Sequence, residues 1–247
     1  MSDCVNNSRR DFISKVALVG TVTLAPGVLL NIAQAKPDDV AVTSKTRWGM
    51  LIDTNKCASG CTSCVDACNE EFDLIGSMPE SSDAQKTLYI RKVTLKEKST
   101  GHELSLPLMC QHCENPPCVD VCPTGASFKR TDGIVLVDKH ICIGCRYCMM
   151  ACPYKARSFV HEEIVNQTLA APRGKGTVES CTLCVHRVDK DGTPACVEAC
   201  TADNHNAMIF GDMNDPNSAL SVELKNNGGK QIRADLGLNT GVRYQGI

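Results

Sequence analysis

Aromatic side chains are scarce in this 247-residue chain, which has one Trp, four Tyr and five Phe. Aromatics ordinarily supply much of the bulk of a core, so something other than side chains is expected to fill part of the interior. Net charge is also low. Lys and Arg number 26 against 28 Asp and Glu, a formal balance of −2, which gives no general electrostatic reason to bind nucleic acid. Beyond residue 35 there is no further long apolar run, so the rest is expected to be soluble or to sit peripherally on a membrane. Motifs of catalysis are missing too: there is no G-x-S-x-G, no H-E-x-x-H and no dinucleotide G-x-G-x-x-G. Arg173-Gly174-Lys175-Gly176-Thr177 lacks phosphate-loop spacing and reads as a flexible connection. An enzyme with its own catalytic site is therefore not expected.

The N-terminus sets the compartment. SRRDFISK at 8–15 precedes twenty uncharged residues ending in Ala33-Gln34-Ala35, the A-x-A form of a cleavage site. Paired Arg9 and Arg10 resemble the twin-arginine export signal, although Lys15 falls one place late. Residues 1–35 are read as a twin-arginine signal peptide, with a retained anchor as the alternative. That route exports folded proteins, often with cofactors already inserted, and it predicts a periplasmic protein peripheral to the cytoplasmic membrane.

What the chain has in abundance is cysteine. Of 17, Cys4 lies in the signal and sixteen fall into four groups of four. They are Cys57, Cys61, Cys64, Cys68; Cys110, Cys113, Cys118, Cys122; Cys142, Cys145, Cys148, Cys152; and Cys181, Cys184, Cys196, Cys200. The third group matches the C-x2-C-x2-C-x3-C-P run of bacterial ferredoxins, in which the fourth Cys serves a neighbouring cluster. Gly144 is expected to permit the close turn. The other groups are variants that still close with C-x3-C. LIDTNKC before Cys57 parallels LVDKHIC before Cys142, each read as a strand feeding a cluster loop. TLYIRKVTL and HELSLPLM read as a strand pair.

Three rival chemistries remain open at this point. Zinc generally takes paired CxxC or Cys/His sets, and disulfides suit an exported chain. Cys57-x3-Cys61-x2-Cys64 has the spacing of a radical-SAM motif, against which Cys68 supplies a fourth, matched ligand.

Four such groups behind an export signal resemble the four-cluster ferredoxin-like iron–sulfur subunits of anaerobic respiratory complexes, over roughly residues 48–210. The strings that carry it are RWGMLIDTNKCASGC, MCQHCENPPCVDVCPTGASFKR and GIVLVDKHICIGCRYCMMACPYKARSF. The expanded first loop and the ending GVRYQGI are similar to the DsrO-type periplasmic subunits of DsrMKJOP membrane complexes of sulfur metabolism. The resemblance implies an α+β fold of two ferredoxin-like halves packed as one unit, with loop insertions, at residues 36–210. It implies further that residues 211–247 are a polar C-terminal extension lying against partner subunits.

By position, it also implies four 4Fe-4S clusters: one on Cys57, Cys61, Cys64 and Cys200, one on Cys181, Cys184, Cys196 and Cys68, one on Cys110, Cys113, Cys118 and Cys152, and one on Cys142, Cys145, Cys148 and Cys122. Lys129, Arg130, Arg146, Lys155, Arg157 and Arg187 are candidates to favour cluster reduction, and His112 and His140 candidates to donate to cluster sulfur. Implied partners are a quinone-interacting integral membrane subunit and a cytochrome c or other redox subunit. Alternatives within the class are the electron-transfer subunits of molybdenum oxidoreductases, such as tetrathionate or polysulfide reductase, or of a nitrite reductase system.

Overall fold

The computed structural model describes residues 42–247 except 77, 102, 166, 169 and 170, together with the backbone of 22–25 and 28–30. The expected signal segment, with Arg9, Arg10 and Ala33-Gln34-Ala35, lies outside the described residues apart from two short strands. These are β1 (Val22–Ala25) and β2 (Val28–Leu30), which pair antiparallel. Residues 1–40 and 41–247 are separate units, and the second contains all sixteen grouped cysteines. No helix among the described residues is long and apolar enough to cross a membrane.

The second unit is α+β. It runs β3 (Trp48–Asp53), α1 (Ser63–Phe72), β4 (Arg91–Lys96), β5 (Glu103–Leu108), α2 (Pro117–Asp120), β6 (Ser127–Lys129), β7 (Val135–Val137) and α3 (Tyr147–Ala151). Then follow β8 (Ser158–Phe159), β9 (Val178–Glu179), α4 (Val185–Val188), α5 (Ala195–Ala202), β10 (Met208–Asp212), α6 (Ala219–Asn227) and β11 (Val242–Gln245). The strands expected before Cys57 and Cys142 are β3 and β7, and the expected strand pair is the β4–β5 hairpin.

An apolar run such as WGMLID needs cover on both sides. Met50, Leu51 and Ile52 are fully buried, and both edges of β3 are paired in a three-stranded sheet, with β10 antiparallel (Met208 opposite Ile52) and β11 parallel (Val242 opposite Met50). Gly49 is required there, since a Cβ would collide with the Met213 side chain and come within 2.8 Å of the Gly241 carbonyl oxygen.

Residues 211–247, expected as a polar C-terminal extension, pack on the rest of the second unit. They are too polar to form a core alone, yet they give their few apolar side chains to the body: Leu220, Val242 and Tyr244 are fully buried. Tyr244 donates to the Pro107 carbonyl oxygen at 3.0 Å and accepts from Gln111 Nε2 at 3.1 Å. Arg173-Gly174-Lys175-Gly176-Thr177 differs from a flexible connection. Arg173 is buried and paired with the fully buried Glu179.

Two helix pairs organise the cysteines. On α1, Cys64, Cys68 and Phe72 recur every fourth residue, which puts them on one buried face. The helix stops at Asp73, in the left-handed region at φ 45°, whose N–H donates back to the Asn69 and Glu70 carbonyl oxygens. That face packs on α5, which carries Cys196 and Cys200 at the same spacing, while α2 with Cys118 packs on α3 with Cys148. Eleven of the sixteen cysteines are buried, so sulfur, together with Met50, Ile52, Leu74, Ile90 and Leu106, occupies the interior that aromatics leave unfilled.

Candidate functional site

The helix pairs bring cysteines from different groups together. Cys57, Cys61, Cys64 and Cys200 line one hollow of about 310 Å³. Cys110, Cys113, Cys118 and Cys152 line another of about 320 Å³. Cys68, although adjacent in sequence to the first set, is surrounded by Cys181, Cys184 and Cys196. Cys122 is close to Cys148, and Cys142 packs on the same small cluster as Cys148, with Cys145 exposed in the intervening loop. Gly144 takes φ +69° in that loop, and a Cβ on it would run into the Gly176 carbonyl oxygen.

None of the sixteen is paired in a disulfide. Burial pushes Cys64 and Cys184 up to about 11 and Cys110 and Cys113 up to about 12. Cys68, Cys181 and Cys196 rise well above the ordinary thiol value for the same reason, with neighbouring sulfurs adding to it. Cys122 goes the other way. Burial raises it, but donors from Ser127, Thr124 and Ala126 outweigh that and lower it. Thiols crowded in fours are poor metal ligands until they lose their protons, so metal binding here is coupled to proton release.

Backbone amides return to the sulfurs that close three of the groups. Ser127 N–H donates to Cys122 Sγ at 3.3 Å, Ala156 to Cys152 at 3.5 Å and Ala207 to Cys200 at 3.3 Å. Leu183 N–H does the same for Cys181 at 3.5 Å. Donors of this kind lower the negative charge on thiolate sulfur. Four thiols around each hollow, with amides turned onto them, fit an iron–sulfur cubane held by four cysteines.

Of the six candidate cations, only Arg157 reaches a sulfur: its Nη2 donates to Cys118 Sγ at 3.1 Å. Lys129 is taken by Glu114, Arg130 by Asp132 and Asp189, and Arg187 by Glu71 and Glu198. Arg146 lies 3.8 Å from the centre of the Phe159 ring, and Lys155 is exposed. His140 is exposed in a turn, its backbone N–H on Asp138. His112 is buried and accepts from Val135 N–H through Nδ1 at 3.0 Å, which leaves the proton on Nε2. Burial, then the Arg157 charge, push its pKa down to about 3, so the ring is neutral, and its buried Nε2 has no hydrogen-bond partner in the protein.

Lys92 and Ser127 had no signal in the sequence. Lys92 Nζ donates to the carbonyl oxygens of Ala58 and Cys61 at 2.8 and 2.7 Å, holding the first cysteine loop from strand β4. Ser127 accepts from Arg157 Nη1 at 2.8 Å while its own amide serves Cys122. Asp203 and His205 also gather beside Cys61, with ligand atoms within 4.8 Å of one another.

Fold and donor set together define a cysteine-ligated iron–sulfur protein. Residues 102–213 match the family described as a 4Fe-4S dicluster domain. The chain is 42% identical to the Hdr-like menaquinol oxidoreductase iron-sulfur subunit 1 of Archaeoglobus fulgidus, over 96% of this chain and 97% of that protein. It is 34% identical to a tetrathionate reductase subunit of Salmonella typhimurium (98% and 90% covered). With a sulfite dehydrogenase subunit of Allochromatium vinosum it shares 37% identity (81% and 82%). The chain belongs to this family of 4Fe-4S iron–sulfur subunits.

Proposed function

We propose that the chain is a periplasmic electron-transfer subunit that relays single electrons through four 4Fe-4S clusters in a quinol-linked membrane complex of sulfur metabolism of the DsrMKJOP kind. Each bound cluster supplies one-electron oxidation and reduction. The ligand sets are Cys57, Cys61, Cys64, Cys200; Cys181, Cys184, Cys196, Cys68; Cys110, Cys113, Cys118, Cys152; and Cys142, Cys145, Cys148, Cys122.

The observation that carries this reading is how burial is distributed over the sets. Cys196 neighbours Cys64, Cys181 neighbours Cys110, and Cys118 neighbours Cys148, which supports a line running through the sets in that order. Every cysteine of the two middle sets is buried. Each end set has partly exposed members: Cys57 and Cys61 at one end, Cys122, Cys142 and the exposed Cys145 at the other. Insulated middle stations between two accessible ends suit a relay between two partners, taken to be a quinone-interacting membrane subunit and a cytochrome c or other redox subunit. The relative named as a menaquinol oxidoreductase subunit, covered almost end to end, supports the quinol link. A second reading, the electron-transfer subunit of a molybdenum oxidoreductase, draws on the relative named as a tetrathionate reductase subunit.

Anaerobically isolated protein is expected to hold about sixteen iron and sixteen sulfide per chain; about eight of each would refute the four-cluster reading. Cys68→Ser and Cys200→Ser are expected to alter different clusters, each other than the one its own group begins. Proteins that co-purify from native membranes separate the two readings. Retention of the precursor in the cytoplasm after Arg9→Lys with Arg10→Lys tests the export route.

A further inference from the structure

Arg157 is a buried cation, 5% exposed, with no carboxylate in ion-pair contact among the described residues. Buried charges are rarely left so, because an unpaired guanidinium in a poorly solvated interior is costly. The other arginines and lysines around the cysteines have acids, carbonyl oxygens or solvent. Arg157 has Cys118 Sγ through Nη2, the Ser127 hydroxyl through Nη1, and an Nε without a partner.

Its position makes the missing counter-charge identifiable. Cys118 belongs to the proposed third set, and the guanidinium also acts on Cys110 of that set and on Cys148 of the fourth. Ser127 extends the contact, since its N–H donates to Cys122 of the fourth set. One positive charge therefore faces two sets at once, through a direct bond on one side and a serine bridge on the other. Among the described residues the second set has nothing comparable. The charges acting on Cys68, Cys181 and Cys196 are those of other cysteines, and the Arg187 beside Cys184 is neutralised by Glu71 and Glu198.

We propose that Arg157 is the shared counter-ion of the two clusters held by Cys110/Cys113/Cys118/Cys152 and Cys142/Cys145/Cys148/Cys122, selectively raising the reduction potential of that pair. This rests on the four-cluster reading above. Adding an electron makes a cluster more negative, so a fixed cation beside it favours the reduced form. Shared between two clusters, it biases electrons toward the Cys145 end of the line. Arg157 is a positioning and tuning residue and touches no substrate.

The test is a potentiometric titration of the anaerobic full-length protein followed by electron paramagnetic resonance, with iron measured in every sample. Arg157→Met is expected to lower two of the four midpoint potentials by a factor of ten or more in the reduction equilibrium, about 59 mV for one electron. The other two should not move. Arg157→Lys, which keeps the charge but loses the fork, is expected to shift the same two by less. Four unmoved or four equally moved potentials, at unchanged iron content, would overturn the proposal. If iron is lost from the Arg157 variants, Ser127→Ala decides: one shifted potential supports the assignment, and none ends it. Wild-type protein with fewer than four reducible centres would instead refute the four-cluster reading itself.

Discussion

Arg173 and Glu179 form an ion pair from which solvent is shut out, with Nη2 2.6 Å from Oε1 and both side chains at most 2% exposed. Lys139 approaches Glu179 at 3.5 Å, and the Tyr89 hydroxyl donates to it at 3.3 Å. Arg173 also donates to the Asp73 carbonyl oxygen, which ties the segment before the last cysteine group to the end of α1. Removing one partner of such a pair strands the other charge. Glu179→Gln is expected to destabilise the protein by about 3–5 kcal/mol. The double change Arg173→Met with Glu179→Leu should cost less, as read by denaturant unfolding under anaerobic conditions.

The sheet makes the C-terminal residues part of the fold. Tyr244→Ala removes a fully buried ring and both of its hydrogen bonds, and is expected to cost about 3–5 kcal/mol. A chain ending at Phe210 would lose β11 from the central strand as well. It should therefore fail to fold on its own, measured by circular dichroism and proteolysis, before any question of partner binding arises.

Much of this architecture was legible in the sequence, because cysteine spacing and the strand–Asp–Cys repeat are local signals. WGMLID and VLV did become the strands that feed the two loops. The place of Val242–Gln245 was hidden, since four residues with two apolar positions look like any tail until β3 is seen to need a second neighbour. Lys92 and Ser127 were hidden for a related reason. Lys92 is 31 residues from Cys61, and a lone serine after C-P-T-G-A carries no pattern. Among six equivalent-looking cations, only burial and the absence of an acid single out Arg157.

Acid should loosen the joint between α1 and α4. Glu71 is bonded to Arg187 through both oxygens, at 2.7 and 2.5 Å, and to His186 Nε2 at 2.6 Å. The Arg187 bond, then that of His186, hold its carboxyl below the ordinary glutamate value of 4.5 against the opposing effect of burial. A carboxylate lowered in the folded state contributes stability that is complete above that value and is lost as pH falls through the folded-state value. Urea stability is expected to decline below about pH 5 by at most about 1 kcal/mol from this group, because solvent screens a partly open ion pair. Glu71→Gln should remove that part of the slope and lower stability at pH 7 by a similar amount.

Gly144→Ala tests the tightest turn. The left-handed φ and the clash with the Gly176 carbonyl oxygen both oppose a side chain. If the proposed ligand sets hold, the variant is expected to lose or alter one cluster signal, that of the set containing Cys142, Cys145 and Cys148, and to leave iron bound at the other three.

On the proposed ligand sets, the packing of α1 on α5 would impose an order on biosynthesis. Cys152 is the last member of the third and fourth sets to leave the ribosome, so both can be filled while residues 181–200 are still being made. The first set waits for Cys200 and the second for Cys196, although Cys57 is the earliest of all to emerge. Maturation then runs from the middle of the polypeptide outward.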